Sequence, residues 1–427
     1  MPCTTIKLSA RSDRRFIRST YRSNRFILAE ITAPHVHQRA ERKRPPVNLA
    51  FVLDRSGSMS GEKIRLAKQA VEYSIARLQS DDRFSIVTYD DVIDVVVAST
   101  YATAEARQDA LARLATVDAR NQTNLGGGWL RGAEQIALHL APEGVNRTLL
   151  LTDGLANVGI TDHEELSRHA AELRVRGVAT TTFGVGTDFN EVLLQAMATA
   201  GGGNYYYIAD ARSIADYVTS EVGEAFDVVA REVTLEITAP EAATVESLSP
   251  FPFERRGART VVALGSLVAE QIVQVVLRLN LPLGELGRET GAVLELRDSD
   301  GLSEGATQTL SWEYADSKAN DLQERDAEVD RAVASVFAAR ARQDATMLNR
   351  AGDYPAARAA LDAVAKRIRS YAGRDPGMRA IIAELERDAS HLAAPMPAAA
   401  LKQMHFQSYA SAKMRTVDGK AFRRTSQ

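Results

Sequence analysis

From about Val47 to Ala225 the chain alternates short apolar runs with longer amphipathic ones, and this alternation limits the possible folds more than any other feature. The apolar runs are NLAFVLD (48–54), RFSIVTY (83–89), VIDVVVA (92–98), RTLLLTD (147–153), VATTTFGVG (178–186) and NYYYI (204–208). Most are too short for helices and rich in β-branched residues, so they read as buried strands. Between them lie helical spacings: Ile64, Ala67, Val71, Ile75 and Leu78 in one stretch, and Leu130, Ala133, Ile136, Ala137 and Leu140 in another. Such alternation predicts an α/β domain, a Rossmann-like, doubly wound and mostly parallel sheet with helices on both faces. Only Asp90 and Asp91 separate the second and third runs, which predicts a hairpin and one antiparallel edge strand.

Outside this region the pattern changes. EVTLEITAP (232–240), RTVVALGSL (259–267), EQIVQVVLRLNLP (270–282) and GAVLELRDSDG (291–301) alternate over about ten residues and are broken by Pro, Gly and Asp. TIKLSA (5–10) and RFILAEITA (25–33) have the same character. The expected organisation is an antiparallel β-sandwich from 1–45 and 226–315 with the α/β domain, 46–225, inserted into it. A helical region follows at 316–400, with Val329, Val333, Val336 and Phe337 on one face and a stop at Gly352-Asp353-Tyr354-Pro355. GDYPAARAAL resembles the turn of a tetratricopeptide hairpin, but a single hairpin is no repeat array. The basic tail, 401–427, lacks sustained periodicity and is expected to be partly disordered.

Composition narrows the function classes. A formal net charge of -3 gives no global pull toward nucleic acid or membrane. Cys3 is the only cysteine, which rules out an intramolecular disulfide and a cysteine-based zinc site and suggests a reducing compartment. The N-terminal stretch MPCTTIKLSARSDRRF has no signal-like apolar core, and no segment reaches the roughly 18–20 apolar residues of a membrane span. The expected location is cytoplasmic. The Arg-rich stretch 11–25 and the tail from Lys402 read as solvated faces or ion-pair partners, so no nucleic-acid partner is expected. His35 and His37 form the only close histidine pair and read as a solvated loop. Tyr205, Tyr206 and Tyr207 read as core and edge packing.

The chemistry concentrates in DRSGSMSG, Asp54 to Gly61. Asp54 stands at the carboxyl tip of a buried strand, where ligands bind in open α/β sheets. Asp-x-Ser-x-Ser puts one carboxylate and two hydroxyls on a tight turn, with Gly57 the residue expected to let it form. All three groups offer oxygen, the donor preferred by hard cations. Asp153 stands at the tip of a second strand, ahead of Gly154. The loop from Asn121 to Gly128 offers the Thr123 hydroxyl on a glycine-rich backbone expected to be mobile. By itself the Asp-x-Ser-x-Ser string is also an ordinary capping turn for the helix after it.

Asp54, Ser56, Ser58, Thr123 and Asp153 resemble the five positions of the metal-ion-dependent adhesion site of von Willebrand factor A domains, in order and in loop context. The resemblance covers roughly residues 45–225. It implies a site for Mg²⁺ (alternatively Mn²⁺ or Ca²⁺) with Ser56 and Ser58 as direct ligands and Thr123 as a state-dependent one. Asp54 and Asp153 would act through water. It also implies a non-enzymatic, bacterial-type protein that binds an Asp or Glu carboxylate of a partner. The channel label carried by some proteins of similar layout does not transfer, because no membrane span is read here.

Two other function classes remain open at this point. One is an adaptor subunit of an AAA+ ATPase of the MoxR or chelatase kind, and the other a metal-dependent hydrolase. A haloacid-dehalogenase-like site needs an Asp where Ser56 stands. Gly57-Ser58-Met59-Ser60-Gly61 has the wrong register for a hydrolase elbow. The runs Gly126–Gly128 and Gly201–Gly203 lack a P-loop's Lys-Ser/Thr.

Overall fold

In a computed structural model of the chain, residues 5–35, 44–120 and 122–424 are described, and Cys3, His37 and Asn121 lie outside them. The chain divides into two compact units, Met1–Gln38 with Val229–Gln427, and Arg39–Val228. It opens with β1 (Lys7–Ser12), β2 (Phe16–Arg18) and β3 (Ser23–Thr32) of the first unit. The second unit then runs β4 (Val47–Asp54), α1 (Glu62–Ala76), β5 (Arg83–Tyr89), β6 (Ile93–Tyr101), α2 (Ala104–Ala115), α3 (Leu125–Ala137), β7 (Val145–Thr152), α4 (His163–Val175), β8 (Ala179–Val185), α5 (Glu191–Ala200), β9 (Gly202–Ile208) and α6 (Ile214–Phe226).

The six strands of the second unit form one sheet in the order β6-β5-β4-β7-β8-β9. Every pair is parallel except β5–β6, the expected hairpin, which leaves β6 as an antiparallel edge. β4 and β7 are buried at every position, as strands covered on both faces must be. On one face Phe51, Leu53, Leu149, Leu151 and Phe183 meet Ala67, Ala70 and Val71 of α1 and Ile214 and Val218 of α6. On the other, α3 lies so close that a Cβ on Gly132 would stand 2.3 Å from Val52 Cγ2. From β4 the chain builds outward through β5 and β6, then returns to β4's other side with β7. The order therefore reverses between β4 and β7, and the crevice outside their carboxyl ends is where such sheets bind ligands.

The first unit continues with β10 (Val228–Thr238), β11 (Thr244–Ser247), β12 (Phe253–Arg256), β13 (Arg259–Val268), β14 (Ile272–Leu281), β15 (Glu289–Arg297) and β16 (Thr307–Ala315). Two sheets, β1-β3-β14-β11 and β12-β13-β10-β15-β16-β2, enclose one core. In it Ile27, Ile31, Val275 and Leu277 from the first sheet meet Val233, Leu235, Leu294 and Trp312 from the second. β2 and its parallel partner β16 were not among the strands expected from periodicity.

Helices α7 (Ser317–Leu322), α8 (Ala327–Arg350), α9 (Tyr354–Ala372), α10 (Pro376–Leu392) and α11 (Ala398–Ala412) complete this unit. Val329, Val333 and Val336 of α8 cover Phe26, Leu28 and Val276. The α8–α9 turn places Gly352 at φ 83°, and Asp353 accepts the Ala356 N–H ahead of α9. The expected loss of order after residue 400 is corrected: α11 runs through it and buries Leu401, Lys402, His405, Phe406 and Tyr409. Its burial includes polar residues and follows no single apolar stripe, so no amphipathic period marks it in sequence. The Arg-rich stretch finds partners inside the unit, with Arg11 2.6 Å from Glu328, Arg15 3.0 Å from Glu313 and Arg18 2.6 Å from Asp321. His35 lies 2.9 Å from Glu270. Among the described residues no helix is long and apolar enough to cross a membrane.

Candidate metal site

β4 and β7 are paired in parallel with Leu53 opposite Leu151, so Asp54 and Thr152 emerge side by side at the sheet's crest. Asp54 is fully buried, and both its oxygens are engaged. Oδ1 accepts the Ser56 N–H at 2.8 Å and Oδ2 accepts the Thr152 hydroxyl at 2.6 Å. Burial pushes its carboxyl up to about 6, against these two donors, which pull it down; the nearby Asp153 adds to the rise.

After Asp54 the chain makes a single 3₁₀ turn, Gly57–Met59, whose Met59 side chain is buried and anchors the loop from below. Gly57 is not in the left-handed region. The residue that needs glycine is Gly61, at φ 75°, which swings the chain into α1. The Ser56 and Ser58 hydroxyls lie 3.1 Å apart, and Ser58 donates to Asp153 Oδ1 at 2.6 Å. Asp153 is as buried as Asp54, and its Oδ2 meets the Lys63 ammonium at 2.5 Å. Ser58 is the exposed member of the set and forms its mouth.

Thr123 arrives from the loop before α3. A Cβ on Gly154 would stand 3.5 Å from Thr123 Oγ1 and 3.7 Å from Ser58 Oγ, so the two hydroxyls flank one small space that a hydrogen-only residue leaves clear. The loop is tied down on several sides. Thr123 N–H donates to Asn157 Oδ1 at 2.9 Å, and the Thr123 carbonyl accepts the Asn157 N–H at 3.2 Å. Arg120 N–H donates to the Arg55 carbonyl and Asn124 N–H to the Asp90 carbonyl, each at 2.7 Å. Asp90 in turn accepts Arg120 Nε at 2.6 Å and forms an ion pair with Arg55, whose Nε lies 3.3 Å away. The glycine run is not a mobile loop: Gly126, Gly127 and Gly128 lie in the first turns of α3. They serve close packing, since a Cβ on Gly128 would stand 2.4 Å from the Tyr89 ring.

All five residues singled out from sequence thus meet at one crest. The structure adds three that sequence did not single out: Thr152, Lys63 and Asn157. Each is a lone polar residue beside a motif, and only Thr152, adjacent to Asp153, stood close enough to be suspected. Among the described residues no three His, Cys, Asp or Glu side chains form a metal-holding group. Three hydroxyls, two carboxylates and the space beside Gly154 form an oxygen donor set of the kind hard divalent cations take.

Comparison with known proteins agrees with the fold of this unit. The sequence model of the von Willebrand factor type A domain matches residues 48–220. This segment is a von Willebrand factor type A domain. The chain is 28% identical over 302 residues to YfbK of Escherichia coli, an uncharacterized protein, covering 67% of this chain and 51% of that one. It is 29% identical over 284 residues to sll0103 of Synechocystis, also uncharacterized, covering 63% and 65%. It therefore spans less than two thirds of either relative. A solved von Willebrand factor type A structure from Catenulispora acidiphila shares the fold, with a TM-score of 0.71 over 99% of this chain and 98% of that one at 19% identity.

Proposed function

We propose that residues 46–225 form a divalent-metal-dependent protein-interaction module. Ser56, Ser58 and Thr123 would hold Mg²⁺, with Mn²⁺ or Ca²⁺ as alternatives, and Asp54 and Asp153 would orient the shell through water. When bound, the ion offers an electron-poor position that an Asp or Glu carboxylate of a partner fills. The observation that carries this reading is the meeting of three hydroxyls with two fully buried carboxylates at the reversal point of the sheet.

The same geometry supports binding over turnover. A site that grips a partner's carboxylate through a metal ion needs neither nucleophile nor general base, and Asp54 and Asp153 are held in place by Thr152 and Ser56 and by Ser58 and Lys63. The single cysteine fits a reducing, cytoplasmic setting.

The test is a pull-down with the immobilised chain in Mg²⁺, eluted with EDTA. The expected partner is retained by the wild type, lost with Ser56→Ala/Ser58→Ala, and lost again when one of its own carboxylates is changed to the amide. Retention indifferent to EDTA and to both changes would place the interaction elsewhere.

A further inference from the structure

Lys63 stands where a cation is least expected. It is the second residue of α1, and the N-terminal turn of a helix disfavours positive charge. Its side chain nevertheless folds back over the crest. Nζ lies 2.5 Å from Asp153 Oδ2 and 3.3 Å from the Ser58 carbonyl oxygen, and 3.9 Å from where a Cβ would stand on Gly186. The ammonium thus spans from the Ser58 loop across Asp153 toward the end of β8.

Two features separate this contact from a surface ion pair. Asp153 is fully buried while the Lys63 side chain is 31% exposed, so the carboxylate is fixed and the cation is the partner free to leave. Asp153 also divides its oxygens between two tasks: Oδ1 orients the Ser58 hydroxyl and Oδ2 takes the ammonium. A divalent ion held by Ser58 would use the same buried carboxylate that Lys63 neutralises. One carboxylate then faces two cations whose charges repel at short range in a partly desolvated site.

We infer that Lys63 is a tethered cation that competes with the divalent metal for Asp153. In the metal-free protein it keeps two buried carboxylates from standing together without a counter-charge. On loading, it is driven off Asp153 toward solvent. Metal affinity is thereby held below what the oxygen donors alone would give, and the position of Lys63 reports the state of the site. This inference rests on the metal-dependent reading above and concerns a residue outside the five-residue motif.

Two measurements on the full chain test it. In the first, Mn²⁺ binding is followed by the spectrum of the free ion for the wild type, Lys63→Met, Lys63→Arg and Ser56→Ala/Ser58→Ala. Lys63→Met is expected to bind about tenfold more tightly, and Lys63→Arg like the wild type. Equal or weaker binding by Lys63→Met, with wild-type binding that still depends on the serines, overturns the role of Lys63 and leaves the metal site standing. No serine-dependent binding in the wild type or in Lys63→Met removes both readings. In the second, amine-directed labelling of wild-type protein is read by mass spectrometry with and without saturating Mg²⁺. Lys63 labelling is expected to rise severalfold with Mg²⁺ and to stay constant in the double serine variant. An unchanged wild-type rate contradicts the displacement, whether or not Lys63→Met folds.

Discussion

Across the β4–β7 pair, the Thr152 hydroxyl donates to Asp54 Oδ2 at 2.6 Å, so a strand-tip residue outside the five-residue motif holds one of the two fully buried carboxylates of the site. Thr152→Val keeps the shape and removes the donor, leaving a buried acceptor unsatisfied. The expected loss is about 1–3 kcal/mol for the metal-free α/β domain. Trp129 lies in α3 and Trp312 in the β-sandwich, so unfolding followed by fluorescence in a Trp312→Phe background reads this domain alone. A variant as stable as its parent would show that the contact contributes little.

Asp54 makes the site sensitive to pH. Its carboxyl is raised from 3.8 to about 6, so between these values the folded metal-free protein holds a proton that the unfolded chain has lost. The stability linked to this group is therefore fully present below about 4, declines as pH rises through 6, and is flat above. Metal competes with that proton. Affinity is expected to be constant above pH 7 and to fall by up to about tenfold per unit below 6. Titrations at pH 5, 6, 7 and 8 with wild type and Asp54→Asn check this; in the variant the residual binding should be weak and free of this step.

Two glycines near the site differ in what they would tolerate. A methyl on Gly154 meets Thr123 Oγ1 and Ser58 Oγ at ordinary contact distances, so Gly154→Ala should fold normally. It would set an apolar group between two donor oxygens, and a several-fold loss of metal affinity is expected at near-unchanged stability. Gly128→Ala should instead cost about 1–3 kcal/mol, because its Cβ would stand 2.4 Å from the Tyr89 ring. Melting curves and metal titrations on the pair should show opposite patterns; the same pattern for both would undo the distinction.

How much of this was legible in sequence depends on whether a residue's role shows as a period or a motif. The six strands of the α/β sheet, its hairpin and the two helices α1 and α3 were readable, the central strands because burial on both faces writes continuous apolar runs. The five crest residues were readable because order and loop context repeat a known pattern. Thr152, Lys63 and Asn157 were not, since a single hydroxyl, amine or amide becomes informative only when its partner is known. The glycine run misled for a related reason: in sequence, Gly126–Gly128 looks like freedom of the backbone, whereas in the fold it permits the close approach of α3 to Tyr89. Helix α11 was missed because its burial follows no apolar stripe.

The most direct test of the metal-dependent site is a calorimetric titration of Mg²⁺ and Mn²⁺ into metal-stripped protein beside Ser56→Ala/Ser58→Ala. Millimolar or tighter binding to the wild type, absent from the variant, is the expected result. Equal weak binding to both would contradict it and reduce Asp54–Gly61 to the structural entry of a helix.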